Sequence, residues 1–188
     1  GDIVLVAPGI YVGKGNKDLD FRGKDLEIRS EGGAEATVID CEGSGRGFYL
    51  AGSFSEAAIV EGFTVRNGKV EGDPRGGGAM FIAGGAPTIL NCKFERNQAD
   101  GLIQDGGGGA ISVYNASPTI ADCRFIENSA SGAATLGGAL AVHHSHIRVT
   151  NCTCERNVVT PTSGGGGGIG IVFAVADTAE LPATIQNC

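Results

Sequence analysis

One motif returns along this chain at almost fixed spacing. Gly77-Gly78-Ala79-Met80 leads to Asn91-Cys92-Lys93-Phe94-Glu95-Arg96-Asn97. Gly108-Gly109-Ala110-Ile111 leads to Asp122-Cys123-Arg124-Phe125-Ile126-Glu127-Asn128, and Gly137-Gly138-Ala139-Leu140 leads to Asn151-Cys152-Thr153-Cys154-Glu155-Arg156-Asn157. The cysteines are 31 and 29 residues apart, yet alanine to cysteine is 13 and cysteine to asparagine 5 in every copy. A fourth copy runs from Gly167-Gly168 to Cys188 with about six extra residues at 177–181. Residues 60–67 form a degenerate earlier copy whose register is open by one residue. A repeat near 30 residues is a supersecondary unit that buries its apolar face only by stacking on its neighbours.

The unit is built from short β-type runs. Met80/Ile82, Ile111/Val113 and Leu140/Val142 alternate with period two after the glycine pair, a first strand. Thr88-Ile89, Thr119-Ile120, Arg148-Val149 and Thr184-Ile185 mark a second. Cys92/Phe94, Cys123/Phe125 and Cys152/Cys154 point one way in a third. Helical periodicity is absent, so the spacing predicts an all-β, right-handed parallel β-helix with three strands per coil and about six coils, stacked ~4.8 Å apart. It is one domain, with N-terminal coils over 1–59 and clear repeats over 60–188. The abrupt strand at Gly1 and the motif broken at Cys188 suggest a piece of a longer chain.

Stacking turns each repeated position into a ladder. Asn97, Asn128 and Asn157 are expected to stack at a corner, since an amide donates and accepts along the axis and asparagine tolerates left-handed backbone. Cys92, Cys123, Cys152 and Cys188 form an inward sulfur file beside Phe94 and Phe125. Packed thiols are favoured over inter-coil bridges, and zinc is disfavoured because one inward residue per coil makes a poor tetrahedral cage. Cys41 lies outside the file. Asn91, Asp122, Asn151 and Asn187 form a second polar file, and Arg96, Glu127 and Arg156 an exposed file of alternating charge. The 33 glycines in 188 residues, well above the usual ~7%, serve corners where backbones approach closely.

A net charge of −7 argues against a nucleic-acid partner. No apolar run reaches the ~20 residues of a membrane span, so no membrane insertion of this segment is expected. Residues 43–47 and 164–168 are glycine-rich but lack the lysine and helix of a phosphate loop. The connections after each third strand, 67–76, 98–105, 129–136 and 158–164, should pile up along one edge, where binding surfaces arise. They carry the candidate ligand or metal groups Asp73, Arg75, Asp100 and Asp105, with Glu71 beside them. Those acids could form a Ca²⁺ or sugar site, or simply be solvated charges. The three histidines, His143, His144 and His146, sit at the corner between first and second strands, where a solvated turn is favoured over a ligand site.

The paired Gly-Gly-Ala-[Ile/Leu/Met] and Phe-x-x-Asn motifs resemble the repeats of the polymorphic outer membrane protein family, whose passengers are surface β-helices. The third copy departs from that pattern, with Cys154 in place of phenylalanine. The opening, Gly1 to Tyr11, resembles the first coil of pectate-lyase-like β-helices. The resemblance implies an extracellular or bacterial cell-surface location and a role as rigid stalk or adhesion passenger. Partners would be host or environmental glycans or cell-surface proteins, with end-to-end self-association at the terminal coils and no cofactor. The rival expectations are a polysaccharide lyase or glycoside hydrolase with its site on the edge loops, and a self-assembling filament subunit. No catalytic residue is assigned. Aromatic scarcity, 6% with no tryptophan, leans against sugar stacking.

Overall fold

The computed structural model describes residues 1–73, 75–102, 107–132, 135–161, 169–172 and 184–186. Its strands wind into a parallel β-helix. The first sheet stacks Phe48–Ala51, Met80–Ala83, Ile111–Tyr114, Leu140–His143 and Ile169–Val172. The second is seven strands deep, from Ile3–Val6 and Glu27–Ser30 through Ile59–Glu61, Thr88–Leu90, Thr119–Ala121 and Arg148–Thr150 to Thr184–Gln186. The third holds six, among them Thr64–Arg66, Lys93–Glu95, Arg124–Ile126 and Thr153–Glu155. Among the described residues the paired strands all run parallel, and register holds from coil to coil, as Ile89 shows by facing Val60 on one side and Ile120 on the other, except for a shift between Ala99 and Leu102. Val149 faces Ile185, 36 residues on, so the ladder register holds across the longer fourth copy. Among the described residues there is no α-helix, only a 3₁₀ turn at Lys14–Asn16, and no helix long and apolar enough to cross a membrane.

The three expected strands are present, and the edge connections add a fourth. Lys69–Glu71, Gln98–Leu102, Ser129–Gly132 and Val158–Pro161 pair as a short parallel sheet. Connections of like length stacked on one another bring their N–H and C=O groups into line, and pairing satisfies groups that would otherwise be unmet. Val70, Ala99 and Ala130 form a small apolar cluster beneath this sheet. The glycine pairs follow from the same crowding. A Cβ on Gly78 would stand 2.5 Å from the Gln98 carbonyl oxygen, and one on Gly109 would strike the Ser129 and Gly138 carbonyls.

Inside, like residues sit over like. Phe94 and Phe125 are fully buried, with ring centroids 5.2 Å apart and planes at 21°. Met80, Ile82, Ile111, Val113, Leu140 and Val142 fill the first sheet's inner face without exposure. The amides of Asn97 and Asn128 are buried and linked: Asn97 Nδ2 donates to Asn128 Oδ1 at 3.0 Å, and Asn128 Nδ2 to Asn157 Oδ1 at 2.9 Å. Each Nδ2 also donates to a carbonyl of the preceding coil, and each Oδ1 accepts a backbone N–H.

The left-handed backbone expected at these asparagines belongs to the residue before them. Arg96, Glu127 and Arg156 have φ of 51–55°, as do Asn91, Asp122 and Asn151 at the other corner. The ladder amides must turn inward, and the preceding residue makes the turn. The degenerate copy is also settled. Val65 faces Phe94, and the Gly68 N–H meets Asn97 Oδ1 at 2.9 Å. Phe63 therefore holds the cysteine position and Gly68 the asparagine position, with Asn67 in the left-handed slot at φ 54°.

Candidate functional site

Asp73 lies in the corner that follows the fourth sheet, and it is held by two arginines. Arg46 Nη2 donates to its Oδ2 at 2.6 Å, and the Arg75 backbone N–H and Nε reach Oδ1 at 3.0 and 3.2 Å. Burial pushes this carboxyl up, but the Arg46 and Arg75 hydrogen bonds outweigh it and hold the group below its ordinary value. Arg46 is itself buried, donating to the Gly76 and Gly77 carbonyls at 3.0 Å each. Both guanidinium groups lie over the rings of Tyr49 and Phe81, at 5.1–5.9 Å from the centroids. Nothing in residues 43–47 announced this role for Arg46, because its partners lie 27 to 31 positions away.

Asp100 is in a separate network. It lies within the fourth sheet, opposite Glu71, and takes hydrogen bonds from Gln98 Nε2 at 2.7 Å and Ser131 Oγ at 2.8 Å, with Lys69 Nζ at 3.6 Å. The two acids thus face protein donors, not one another. Asp105 lies outside the described residues. Among the described residues, no group of three or more His, Cys, Asp or Glu side chains is placed to hold a metal ion.

The histidines part company. His143 ends a first-sheet strand, is buried, and stacks on Tyr114 with centroids 4.4 Å apart and planes at 11°. The solvated turn expected for all three holds only for His144 and His146. His143 differs because it occupies the rung of Ala83 and Tyr114, and there it ends an aromatic stack that Tyr49 and Phe81 start on the neighbouring rung of the sheet. That stack was not evident in the sequence, since it changes rung once, from the position of Tyr49 and Phe81 to that of Tyr114 and His143 two residues on.

The sulfur file is buried at Cys92, Cys123 and Cys152, and Cys188 lies outside the described residues. Each thiol points at the carbonyl two residues back, at 3.1–3.3 Å. Cys92 and Cys123 are free thiols. Neighbouring thiols, Cys152 first and then Cys92, together with burial raise the Cys123 pKa well above its ordinary value, so it stays protonated. Cys41, buried in the N-terminal core, is pushed up to about 12 by burial. Of the charged file, Arg156 pairs with Glu127 at 2.9 Å, while Arg96 turns to its neighbour Glu95.

A further opening lies at the corner between first and second sheets. It is a shallow cleft of about 200 Å³, lined by Glu56, Ser117, Thr119, His146, Ile147 and Arg148 among others.

Neither curated proteins nor solved structures gave a match to this chain. The parallel register, the stacked coils and the continuous inner ladders are those of one fold family: residues 7–188 match the right-handed beta helix region, and the chain belongs to that family.

Proposed function

We propose that this β-helix is a non-enzymatic, extracellular or cell-surface scaffold, a rigid stalk that presents a binding surface, in the manner of the polymorphic outer membrane protein repeats its motifs resemble. The observation that carries this reading is the state of its acids. Asp73 is neutralised by Arg46 and Arg75, and Asp100 is occupied by Gln98, Ser131 and Lys69. A lyase needs carboxylates turned outward to take a cation with the sugar acid, and a hydrolase needs two facing each other across a groove. Here those carboxylates brace the edge of the solenoid. The buried asparagine ladder adds stiffness along the axis, the property a stalk requires.

The reading is tested by incubating the protein with a panel of acidic polysaccharides, with and without Ca²⁺, and following the absorbance of unsaturated products and the release of reducing ends. No turnover is expected in either condition. Calcium-dependent accumulation of unsaturated sugar would overturn it in favour of a lyase.

A further inference from the structure

The chain holds nine asparagines, and only Asn67 is followed by glycine. The ladder residues Asn97, Asn128 and Asn157 precede Gln98, Ser129 and Val158, whose side chains crowd the peptide nitrogen. The degenerate copy carries Gly68 in the ladder slot, so its missing rung is what creates an Asn-Gly pair. With no Cβ in the way, the nitrogen of such a glycine can swing onto the asparagine side chain and close a succinimide ring, one reason asparagine counts among the thermolabile residues. In the folded chain both N–H and both carbonyl groups of the pair are engaged. The Gly68 N–H donates to Asn97 Oδ1 at 2.9 Å, and the Gly68 carbonyl accepts from the Gln98 N–H at 2.8 Å. The Asn67 N–H donates to the Glu95 carbonyl at 3.2 Å, and the Asn67 carbonyl accepts from the Gly43 N–H at 2.8 Å. Asn67 Nδ2 donates to Asp40 Oδ1 at 3.0 Å. Gly68 is buried, and a Cβ there would strike the Gly78 carbonyl, so its backbone has no room to turn. The coils on both sides clamp the dipeptide, and the first amide of the asparagine ladder covers its reactive nitrogen.

We propose that Asn67 is a latent self-modification site, held shut by Asn97, that converts to aspartate or isoaspartate when this corner opens. Once the Gly68 N–H leaves Asn97, the nitrogen gives its proton to solvent and attacks Asn67 Cγ. A C–N bond closes the ring, the Cγ–Nδ2 bond breaks, and Nδ2 departs as ammonia with a proton taken from water. A water molecule then adds to either ring carbonyl and cleaves its bond to the Gly68 nitrogen. Cleavage at Cγ leaves aspartate, and cleavage at the former backbone carbonyl leaves isoaspartate. The sum is an amide and water giving a carboxylate and ammonium, with no oxidant and no second protein. Reclosure is then opposed. Asp40 Oδ1 loses an amide donor and faces a carboxylate in its place. Isoaspartate also adds a carbon to the backbone at a residue held at φ 54°. The pair thus records, in covalent form, each opening of the N-terminal end of the ladder.

The test follows residue 67 by peptide mapping and mass spectrometry during incubation at mildly alkaline pH, with ammonia release as a second readout. Conversion in the native protein should be about a hundredfold slower than in protein unfolded by guanidinium, since it waits on local opening. Asn97→Ala removes the acceptor of the Gly68 N–H and should speed native conversion about tenfold, the worth of one buried hydrogen bond. Asn157→Ala removes the same kind of amide two coils away and should leave the rate unchanged. Thermal unfolding of each variant checks that the solenoid is intact. Where Asn97→Ala does not fold, the unsubstituted protein in a denaturant series decides the matter: conversion must rise in step with hydrogen exchange of the Gly68 N–H. Asn67→Asp, the product made directly, should lose exchange protection at residues 40–43 and 95–98. Equal rates in native and unfolded protein overturn the proposal, as does a rate that Asn97→Ala leaves unchanged or that Asn157→Ala raises equally. Conversion out of step with exchange, or full protection in Asn67→Asp, overturns it as well.

Discussion

The N-terminal coils and the three regular repeats solve the same stacking problem with different chemistry. In the repeats, a corner is locked by neutral amides: Asn97, Asn128 and Asn157 bond to each other and to the backbone. In the earlier coils the same corner has no asparagine ladder. Gly68 stands in the slot, and Asp40 receives Asn67 Nδ2 at 3.0 Å and Arg66 Nε at 2.8 Å. One coil edge away, Arg46 and Asp73 perform a similar task. The interior differs in parallel. The repeats stack rings from equivalent positions, Phe94 on Phe125, while the earlier coils pack phenylalanines from non-equivalent positions edge to face, Phe21 with Phe54 and Phe48 with Phe63. A coil of standard length can reuse one neutral solution. A coil of irregular length, such as the 24 residues from Val4 to Ile28, has no equivalent neighbour to copy and relies on charge.

The largest test of this contrast is Phe94→Ala. The ring is fully buried between Val65 and Phe125, and its loss should cost about 3–5 kcal/mol in denaturant unfolding. A smaller value would mean that the repeat interior is loosely packed and the contrast is false.

Next is Asn128→Ala. It strips the backbone N–H and Nδ2 of Asn97 of an acceptor and takes an amide donor from the Phe94 carbonyl and from Asn157 Oδ1, which keeps only the backbone N–H of residue 128, all within the corner. A cost of about 2–4 kcal/mol is expected. Hydrogen exchange should show it as lost protection at the third- and fourth-sheet strands of the adjoining coils, with the first coils unmoved.

The smallest effect is that of acid, and it should reverse the order. Asp40 is raised by burial but lowered more by Asn67, the Glu42 N–H and Arg66, and ends below its ordinary 3.8, as does Asp73. Because both folded values lie below the unfolded one, their contribution is complete above about pH 4 and is lost as pH falls through the folded values. The amide ladder has no proton to gain there. Limited proteolysis or hydrogen exchange below pH 4 should open the N-terminal coils first. Simultaneous opening of both regions would break the comparison.

The cysteine-to-asparagine interval, the inward Phe94 and Phe125, the buried Cys92, Cys123 and Cys152, and the stacked Asn97, Asn128 and Asn157 were all legible, because a solenoid converts covalent spacing directly into spatial stacking. The fourth sheet was not, since its strands lack alternation and form only because neighbouring edges run alongside one another. The left-handed turn was misplaced by one residue, because composition names asparagine as the tolerant residue but cannot say which side chain must point inward. The surface was the least legible part. Arg46 and Asp73 meet across 27 residues, buried His143 stacks on a ring from the preceding coil, and Arg148 lines a cleft shared by several coils. Period alone therefore determined which residues stack inside this protein. The partners of its charges were decided by the lengths and directions of coils that only the folded solenoid brings side by side.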